Sequence, residues 1–170
     1  MIGFMGCGKS AVGPLVARGL GFEFVDTDDL VVGTAGKPIP EIFAEEGEVG
    51  FRKRETAALR DAASEGGRVI ATGGGIVTVE ENSKALHDAG FVVWLDADEE
   101  VLWRRISRSK DRPMLYTKNP RETVRVLLEK RAPLYRQMAD MRIDSTDLSA
   151  DDVAYGVAES ARVHFGENGL

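Results

Sequence analysis

The strongest constraint on the fold of this chain is a phosphate-binding loop at its very start. Residues 3–10 read Gly-Phe-Met-Gly-Cys-Gly-Lys-Ser and complete the pattern G-x-x-x-x-G-K-[ST]. Glycines let successive backbone N–H groups turn inward around a phosphate, and the following helix adds its positive N-terminus. In this motif the lysine reaches the β- and γ-phosphates and the serine hydroxyl coordinates Mg²⁺. The motif therefore predicts nucleoside triphosphate binding by the loop residues Gly3, Gly6, Cys7, Gly8, Lys9, Ser10 and Ala11.

Composition narrows the class of protein further. The chain has 170 residues, which fits one domain with a sizeable core, and a net charge of −6. This net negative charge argues against a protein that binds nucleic acids or anionic membranes through its general surface. A single cysteine excludes an intrachain disulfide and favours a reducing compartment. With no membrane-length apolar run and no visible secretory signal, we expect a cytoplasmic protein. We also expect it to be a monomer.

Short strand-like runs alternate with helical stretches, a pattern typical of an α/β fold with a parallel sheet. Besides the residues before Gly3, the predicted strands are Phe22–Asp26, Arg68–Ala71, Phe91–Leu95 and Met141–Asp144. The predicted helices are Lys9–Leu20, Pro38–Glu46, Glu48–Ser64, one opened by a Thr78–Glu81 capping box, one from Asn119 to Met138, and one from Ser149 to Phe165. We expect one domain over residues 1–165, a lid at about 108–118 and a flexible tail at 166–170.

The first strand is unusually short, because only Met1 and Ile2 precede the phosphate loop. In such folds a central strand leads into this loop. Either the start is truncated or the chain is a segment of a longer protein. The shortness affects stability more than chemistry.

Two acids lie at the end of the second predicted strand, at the sheet edge where α/β folds place ligands. Asp26 is suited to hold Mg²⁺ through water, and Asp28 points the same way if the extended backbone continues. The alternative is that Asp28 only caps the next segment.

Three further patterns are compatible with a second substrate site. Arg52 and Glu55 are spaced to pair on one helix, although a solvated ion pair is the usual interpretation of that spacing. Gly73, Gly74 and Gly75 follow a strand and permit close backbone approach to a ligand, or form a loose turn. Five cations between Arg104 and Arg112 suit a lid over a transferring phosphate, or a solvated helix end.

Taken in order, these blocks resemble the shikimate kinase family from Gly3 to about Ile143. The matching segments are the phosphate loop, Asp26/Asp28, Ile39–Glu55, Gly73–Gly75, Arg112-Pro-Met-Leu115 and Arg131-Ala-Pro-Leu-Tyr135. The resemblance implies a three-layer nucleoside-monophosphate-kinase-like fold with a five-stranded parallel sheet in order 2-3-1-4-5, flanked by helices. It also implies phosphorylation of the 3-hydroxyl of shikimate by ATP with Mg²⁺, on the route to chorismate and the aromatic amino acids.

The same resemblance implies a role for each matching residue. Lys9 would neutralise the transferring phosphoryl group, and Ser10 would ligate Mg²⁺ with support from Asp26 through water. Asp28 would bind the shikimate hydroxyls and accept the attacking proton. Arg52 and Arg131 would hold the shikimate carboxylate, and Glu55 would orient Arg52. Backbone groups of Gly73, Gly74 and Gly75 would also contact shikimate. From the lid, Arg112 would close over both substrates and Arg108 would lie near the nucleotide.

One departure and two alternatives remain open. Family members often have an arginine after the last strand, near the adenine, whereas residues 144–148 here have none. The base contacts and the preference for ATP over GTP are therefore open. Alternative functions are a gluconate-type kinase and a catalytically inactive nucleotide-binding module of a larger protein.

Overall fold

Parallel strands, each four residues long, direct the loops that follow them toward one edge of the sheet. The computed structural model describes residues 1–107 and 113–168. The strands are β1 (Glu23–Asp26), β2 (Arg68–Ala71), β3 (Val93–Asp96) and β4 (Met141–Asp144). β1 pairs with β2 from Glu23↔Arg68 to Asp26↔Ala71, and β3 pairs with β4 from Val93↔Met141 to Asp96↔Asp144, both in parallel.

Met1 and Ile2 join these two pairs into one arrangement. The amino group of Met1 donates to the carbonyl of Ile70 at 2.6 Å, and the amide of Thr72 donates to the carbonyl of Met1 at 3.2 Å. On the other side, Ile2 forms a parallel bridge with Trp94. The central segment thus lies between β2 and β3, which is the order 2-3-1-4-5 when this segment is counted as the first strand. The expected fold class is confirmed, with its first strand reduced to two residues.

Seven helices are present in the described ranges. They are α1 (Lys9–Leu20), α2 (Thr27–Ala35), α3 (Ile39–Ala62), α4 (Glu81–Asp88), α5 (Glu99–Ile106), α6 (Pro120–Met138) and α7 (Ala150–Asn168), with 3₁₀ turns at Ile76–Thr78 and Pro113–Leu115. α1 packs on α7 and on β1 and β2, while α4 contacts both α3 and α6. None of these helices combines the length and apolar content needed to cross a bilayer.

The main core surrounds the central segment, and a smaller core lies between α2 and α3. Ile2, Leu95 and Leu102 are fully buried in the main core. The smaller core joins Val31 of α2 to side chains of α3, and its Phe43 and Phe51 rings lie 4.6 Å apart. This second core fixes α2 and α3 to each other, next to the cavity described below.

The α3 region departs from a single straight helix. Gly47 adopts φ 66° and ψ −174° inside it, so the segments on either side are helical and the residue between them is not. Two helices, Pro38–Glu46 and Glu48–Ser64, were predicted here, and the break confirms that division. A left-handed φ at this point is accessible to glycine without a steric penalty.

Two of the three predicted helix N-caps are confirmed, and one is wrong. The Asn119 side chain accepts from the Glu122 amide, and Ser149 Oγ accepts from the Asp152 amide at 3.1 Å, as expected for N-caps. The Thr78 capping box is wrong, because the Thr78 hydroxyl donates to the Gly75 carbonyl at 2.7 Å and α4 begins only at Glu81. At the other end of the chain, α7 runs to Asn168, three residues into the predicted tail.

Candidate active site

The phosphate loop forms a cradle between Ile2 and α1. Gly8 precedes α1 in a left-handed conformation with φ 105°, which a side chain at this position would disfavour. The Lys9 ammonium is almost fully buried and donates to the carbonyls of Gly3 and Phe4 at 2.7 and 3.0 Å, and to Cys7 Sγ at 3.3 Å. Its charge is therefore held inside the loop, beside the space that a phosphate chain would occupy.

Ser10 and Asp26 meet at the front of this cradle. The Ser10 hydroxyl donates to Asp26 Oδ2 at 3.0 Å. The carboxylate also caps α2, since its Oδ1 accepts from the amide of Asp28 at 3.0 Å. Two oxygen donors on one wall suit a hard divalent cation such as Mg²⁺. In the described part of the chain, no three His, Cys, Asp or Glu side chains gather as a metal-binding group, so phosphate oxygens and water would complete the coordination.

The extended backbone does not continue to Asp28, which corrects the argument made for its direction. β1 ends at Asp26 and α2 starts at Thr27. Asp28 therefore lies in the first turn of a helix, and Asp26 rather than Asp28 provides the N-cap. Asp28 still lies between two cavities and lines both of them. Asp28 therefore lies at the predicted edge of the sheet, but the first turn of α2 places it there rather than an extended strand.

The two cavities share a wall. The donor-side cavity, of about 220 Å³, is lined by the phosphate loop, Asp26 and Asp28. The acceptor-side cavity is lined on its polar side by Arg52, Glu55 and Arg131, and on its apolar side by Met5, Ile39, Phe43, Phe51 and Met114. The residues common to both are Met5, Asp28, Gly73 and Gly74. A group bound on one side thus faces a group bound on the other across these four residues.

Arg52 and Glu55 form a buried ion pair at the acceptor-side cavity. Arg52 Nη1 lies 2.7 Å from Glu55 Oε2, and the side chains are 12% and 0% exposed. Glu48, which the sequence analysis missed, accepts from Arg52 Nη2 at 3.1 Å. Two successive turns of α3 thereby fix the guanidinium, with Glu48 one turn before Arg52 and Glu55 one turn after it. The spacing pattern predicted the pair, and its burial distinguishes it from a solvated surface contact.

Burial dominates the electrostatics of this pair. Burial raises the pKa of Glu55 by more than the positive charge of Arg52 lowers it, and the nearby Asp28 raises it further. For Arg52, burial alone would lower the pKa, but Glu55 and Glu48 together raise it, so the guanidinium stays charged. Glu55 Oε1 is buried and has no hydrogen-bond partner among the described residues. The cavity is therefore lined by the fixed Arg52 cation, while the Glu55 oxygen that lacks a partner is itself buried.

Each of the three consecutive glycines faces a different group. A Cβ on Gly73 would lie 2.1 Å from Glu55 Oε1, and one on Gly75 would lie 2.2 Å from Arg52 Nη1. A Cβ on Gly74 would lie 3.1 Å from the amide nitrogen of Met5, in the phosphate loop. The loop is thus pressed between the ion pair and the phosphate cradle. This close approach excludes a loose turn as the reason for the three glycines.

Residues on neighbouring elements hold the glycine loop in place. The hydroxyl of Thr27, fully buried at the start of α2, accepts from the amide of Gly73 at 3.3 Å. From α6, Arg131 Nη1 and Tyr135 Oη donate to the carbonyl of Gly74. Thr27 was not predicted, because one threonine beside two acids carries no pattern of its own. Arg131 lies where its motif predicts, and Tyr135 has a contact that the motif did not specify.

A further cavity, of about 290 Å³, is lined by phosphate-loop residues and by residues near α5 and the start of α7. Its lining residues include Ala11, Arg105, Ser145 and Leu148. Arg105 Nη1 donates to the carbonyl of Gly6 at 3.2 Å, which ties α5 to the loop. The sequence analysis selected Arg108 from the same cationic run instead. Arg108 and Arg112, both predicted site residues, lie outside the described residues.

The α5 helix shows how Arg105 could have been found. Leu102 and Ile106 are buried on one face of this helix, and Arg105 borders that face. A helix assigned from the apolar spacing at 102 and 106 would have distinguished Arg105 from its neighbours in the run.

Comparison with known proteins gives a consistent match over most of the chain. The family model described as "Shikimate kinase" matches residues 5–162. The chain belongs to the shikimate kinase family. A shikimate kinase from Bordetella avium is 45% identical over 145 residues, covering 85% of this chain and 69% of that protein. One from Symbiobacterium thermophilum is 45% identical over 172 residues, covering 99% and 98%.

Solved structures of shikimate kinases have the same architecture. The structure of the Acinetobacter baumannii shikimate kinase in complex with shikimate superimposes with a TM-score of 0.92 at 40% identity, covering 99% of this chain and 92% of that one. The enzyme from Bacteroides thetaiotaomicron superimposes with a TM-score of 0.83 at 32% identity, covering 95% and 94%. The fold and family inferred from the order of the motifs are therefore confirmed.

Proposed function

We propose that this chain transfers the γ-phosphoryl group of ATP to the 3-hydroxyl of shikimate, giving shikimate 3-phosphate and ADP. One observation supports the assignment of ATP to the donor-side cavity and of shikimate to the acceptor-side cavity. The phosphate cradle and the cavity with buried Arg52, Glu55 and Arg131 share one wall, and Asp28 lies on that wall. Membership of the shikimate kinase family supports the reaction. A carboxylate-bearing polyol fits the acceptor side by charge and by hydrogen-bonding capacity.

On the donor side, the loop amides and Lys9 bind the phosphate chain. Lys9 would turn from the carbonyls of Gly3 and Phe4 toward the γ-phosphate, where its charge opposes the negative charge of the transferring group. Ser10 Oγ and, through water, Asp26 would hold Mg²⁺, which neutralises charge on the phosphate oxygens when bound. The base and ribose would occupy the cavity beside Arg105 and Leu148.

On the acceptor side, Arg52 and Arg131 bind the substrate carboxylate. A planar guanidinium offers a fork of donors that matches a carboxylate better than an ammonium does. Glu55 keeps Arg52 in position through the 2.7 Å contact. Backbone groups of Gly73, Gly74 and Gly75 line the same cavity, and we assign them contacts to the ring substituents.

Asp28 connects the two sides chemically. The substrate hydroxyl oxygen attacks the γ-phosphorus, the bond from phosphorus to the β–γ bridging oxygen breaks, and the hydroxyl proton passes to the Asp28 carboxylate. Because the transition state of phosphoryl transfer is loose, alignment and charge stabilisation matter more than the strength of this base. We also propose, from the family resemblance, that Arg112 and Arg108 contribute positive charge from a lid. The enzyme is proposed to act as a single-domain cytoplasmic monomer.

The direct test is ADP release from Mg²⁺-ATP in the presence and absence of shikimate. Quinate and gluconate are the matched control acceptors, because each carries a carboxylate and several hydroxyls. We expect shikimate alone to stimulate ADP release strongly, with one phosphate transferred to shikimate per ADP formed. Equal stimulation by gluconate would reject the acceptor assignment, and ATP binding without any stimulation would reject the proposed activity.

A further inference from the structure

The carbonyl oxygen of Gly74 is held by two donors from one helix. Tyr135 Oη lies 2.5 Å from it and Arg131 Nη1 lies 3.3 Å from it. The two donors are four residues apart on α6 and so share one face of that helix. Both side chains are buried, with exposed fractions of 1% for Tyr135 and 4% for Arg131. The tyrosine is therefore the nearer of the two donors, and the arginine contact is long.

In the proposed reaction Arg131 binds the substrate, whereas Tyr135 contacts only the Gly74 carbonyl. Arg131 lines the acceptor-side cavity, where it is assigned to the substrate carboxylate. A guanidinium that turns toward the substrate weakens its contact with the Gly74 carbonyl. Without a second donor, that turn would leave a buried carbonyl unsatisfied, which is costly. The Tyr135 hydroxyl provides the second donor.

We propose that Tyr135 is a positioning residue whose hydroxyl satisfies the Gly74 carbonyl and thereby leaves Arg131 available for the substrate carboxylate. The inference rests on the proposed function and deepens it, because it explains how one arginine serves the loop before binding and the substrate afterwards. It also has a second consequence. The C=O and N–H of one peptide group point in opposite directions, so fixing the Gly74 carbonyl also fixes the direction of the Gly75 amide.

The surroundings keep the hydroxyl where it is needed. The Tyr135 ring stacks on Trp94 with centroids 5.8 Å apart, and Arg131 lies over the Phe4 ring at 5.9 Å. A Cβ on Gly74 would lie 3.1 Å from the Met5 amide nitrogen, so Gly74 packs closely against the phosphate loop. Burial raises the pKa of the Tyr135 phenol, so the hydroxyl keeps its proton and remains a donor at neutral pH.

The test is to remove only the hydroxyl, with Tyr135→Phe, and to measure shikimate and ATP affinity separately by calorimetry. We expect the Kd for shikimate to rise about tenfold, because Arg131 must then leave a carbonyl that has no other donor. The Kd for ATP should stay within about twofold, since the phosphate cradle does not depend on this contact. Val157→Ala, in the buried face of α7, is the control for lost stability and should change neither affinity.

A second arm tests whether the effect passes through Arg131. In an Arg131→Ala background, adding Tyr135→Phe should not weaken shikimate binding further, because no arginine has to leave the carbonyl. For shikimate methyl ester, which lacks the anionic carboxylate, the loss caused by Tyr135→Phe alone should also shrink. The ester experiment remains decisive if the double variant does not fold.

Three outcomes would overturn the inference. They are unchanged shikimate affinity in Tyr135→Phe, an equal loss of shikimate and ATP affinity, and an equal loss for shikimate and its ester. If the wild-type protein phosphorylates shikimate, any of these rejects the positioning role alone. If the wild-type protein does not bind shikimate, the proposed function fails and this inference fails with it.

Discussion

The donor and acceptor sides of the site are built in opposite ways. Most of the donor side comes from one continuous stretch, residues 3–11, whose lysine is bonded to its own loop carbonyls, while Asp26 and Asp28 complete its wall. The acceptor side is assembled from α2, α3, the glycine loop and α6, which are far apart in sequence. One side uses backbone groups arranged by local turns, and the other uses charged side chains arranged by packing. A local motif can therefore identify the first, whereas the second depends on the whole fold.

This contrast also separates what each side requires for stability. The cradle needs backbone conformations that glycine adopts readily, such as φ 105° at Gly8. The acceptor side needs Glu55 buried with its charge partner, next to glycines that leave no space for a Cβ. Substitutions on the donor side should therefore act mainly on catalysis. Those on the acceptor side should act on substrate binding and on stability together.

The largest effect is expected from Lys9→Met, which tests the donor side alone. Removing the ammonium takes away a positive charge at the transferring phosphate, and kcat should fall roughly 1,000-fold. Steady-state ADP release measures kcat, and calorimetry with shikimate checks the acceptor side, whose affinity should stay near the wild-type value. A variant that retained more than a tenth of kcat would contradict the assignment of Lys9.

Asp28→Asn tests the wall between the two sides. Without the proton acceptor, kcat should fall by roughly several hundredfold, within the range found for a positioned base. The Kd for ATP should remain unchanged, because this substitution leaves the loop amides and Lys9 in place. Asp29→Asn, on the exposed neighbour, is the matched control. A comparable loss in Asp29→Asn would mean that charge near α2, rather than proton acceptance, explains the effect.

Arg52→Lys tests the acceptor side. Lysine retains the charge but loses the guanidinium fork, so shikimate binding should weaken by about 2–3 kcal/mol, roughly 30- to 150-fold in Kd. Arg54→Lys is a close control on the same helix, since Arg54 makes a two-point contact with Glu46 at 2.8 and 2.9 Å but does not line the cavity. Normal shikimate affinity in Arg52→Lys would remove Arg52 from the carboxylate site.

The smallest effect is expected in the pH dependence of stability. Because the folded-state pKa of Glu55 is raised above its unfolded value, the folded state binds more protons in the range between the two. The contribution of Glu55 to stability is therefore fully present below the unfolded pKa and is lost as pH rises through the folded pKa. Urea unfolding at several pH values measures this loss.

Glu55→Gln provides the reference for that experiment. The difference in unfolding free energy, wild type minus variant, should decrease as pH rises from below the unfolded pKa of Glu55 and level off above its folded pKa. A difference that increased with pH would mean that pairing with Arg52 outweighs burial at this position. The same titration for Arg54→Lys should run parallel to the wild type, because the Arg54–Glu46 pair is partly exposed.

Sequence patterns predicted the elements whose determinants are local. β2, β4 and α1 have the predicted bounds, and the caps at Asn119 and Ser149 form as expected. In these places propensity, capping and apolar spacing all favour the same structure. The short helix α2 was missed, because its residues Thr27–Ala35 follow a strand directly. The capping box at Thr78 failed because its hydroxyl found a nearer acceptor in the Gly75 carbonyl.

In the candidate site, too, residues in local motifs were predicted and residues placed by distant contacts were not. Lys9, Ser10 and Asp26 were predicted to bind phosphate and Mg²⁺ from the motif and its spacing, and Ser10 does contact Asp26. Arg52 and Glu55 were identified as a pair, but nothing in the spacing indicated that Glu55 would be fully buried. Arg105 was missed because Arg108 was selected from the same run of cations, and Thr27 was missed because it is not part of a local pattern. Each acquires its place from a partner far along the chain, Gly6 and Gly73 respectively.

The sequence by itself determined the phosphate loop, the alternation of strands and helices, and the family. The loop and the alternation follow from backbone conformation and periodicity, which act over a few residues, and the family follows from the resemblance carried by the order of the motifs. Only the tertiary structure decided that Asp28 lies between two cavities, that three glycines separate an ion pair from the phosphate cradle, and that Tyr135 reaches Gly74. Contacts of this kind join distant segments, and their geometry is set by packing of the core rather than by any short stretch of the chain.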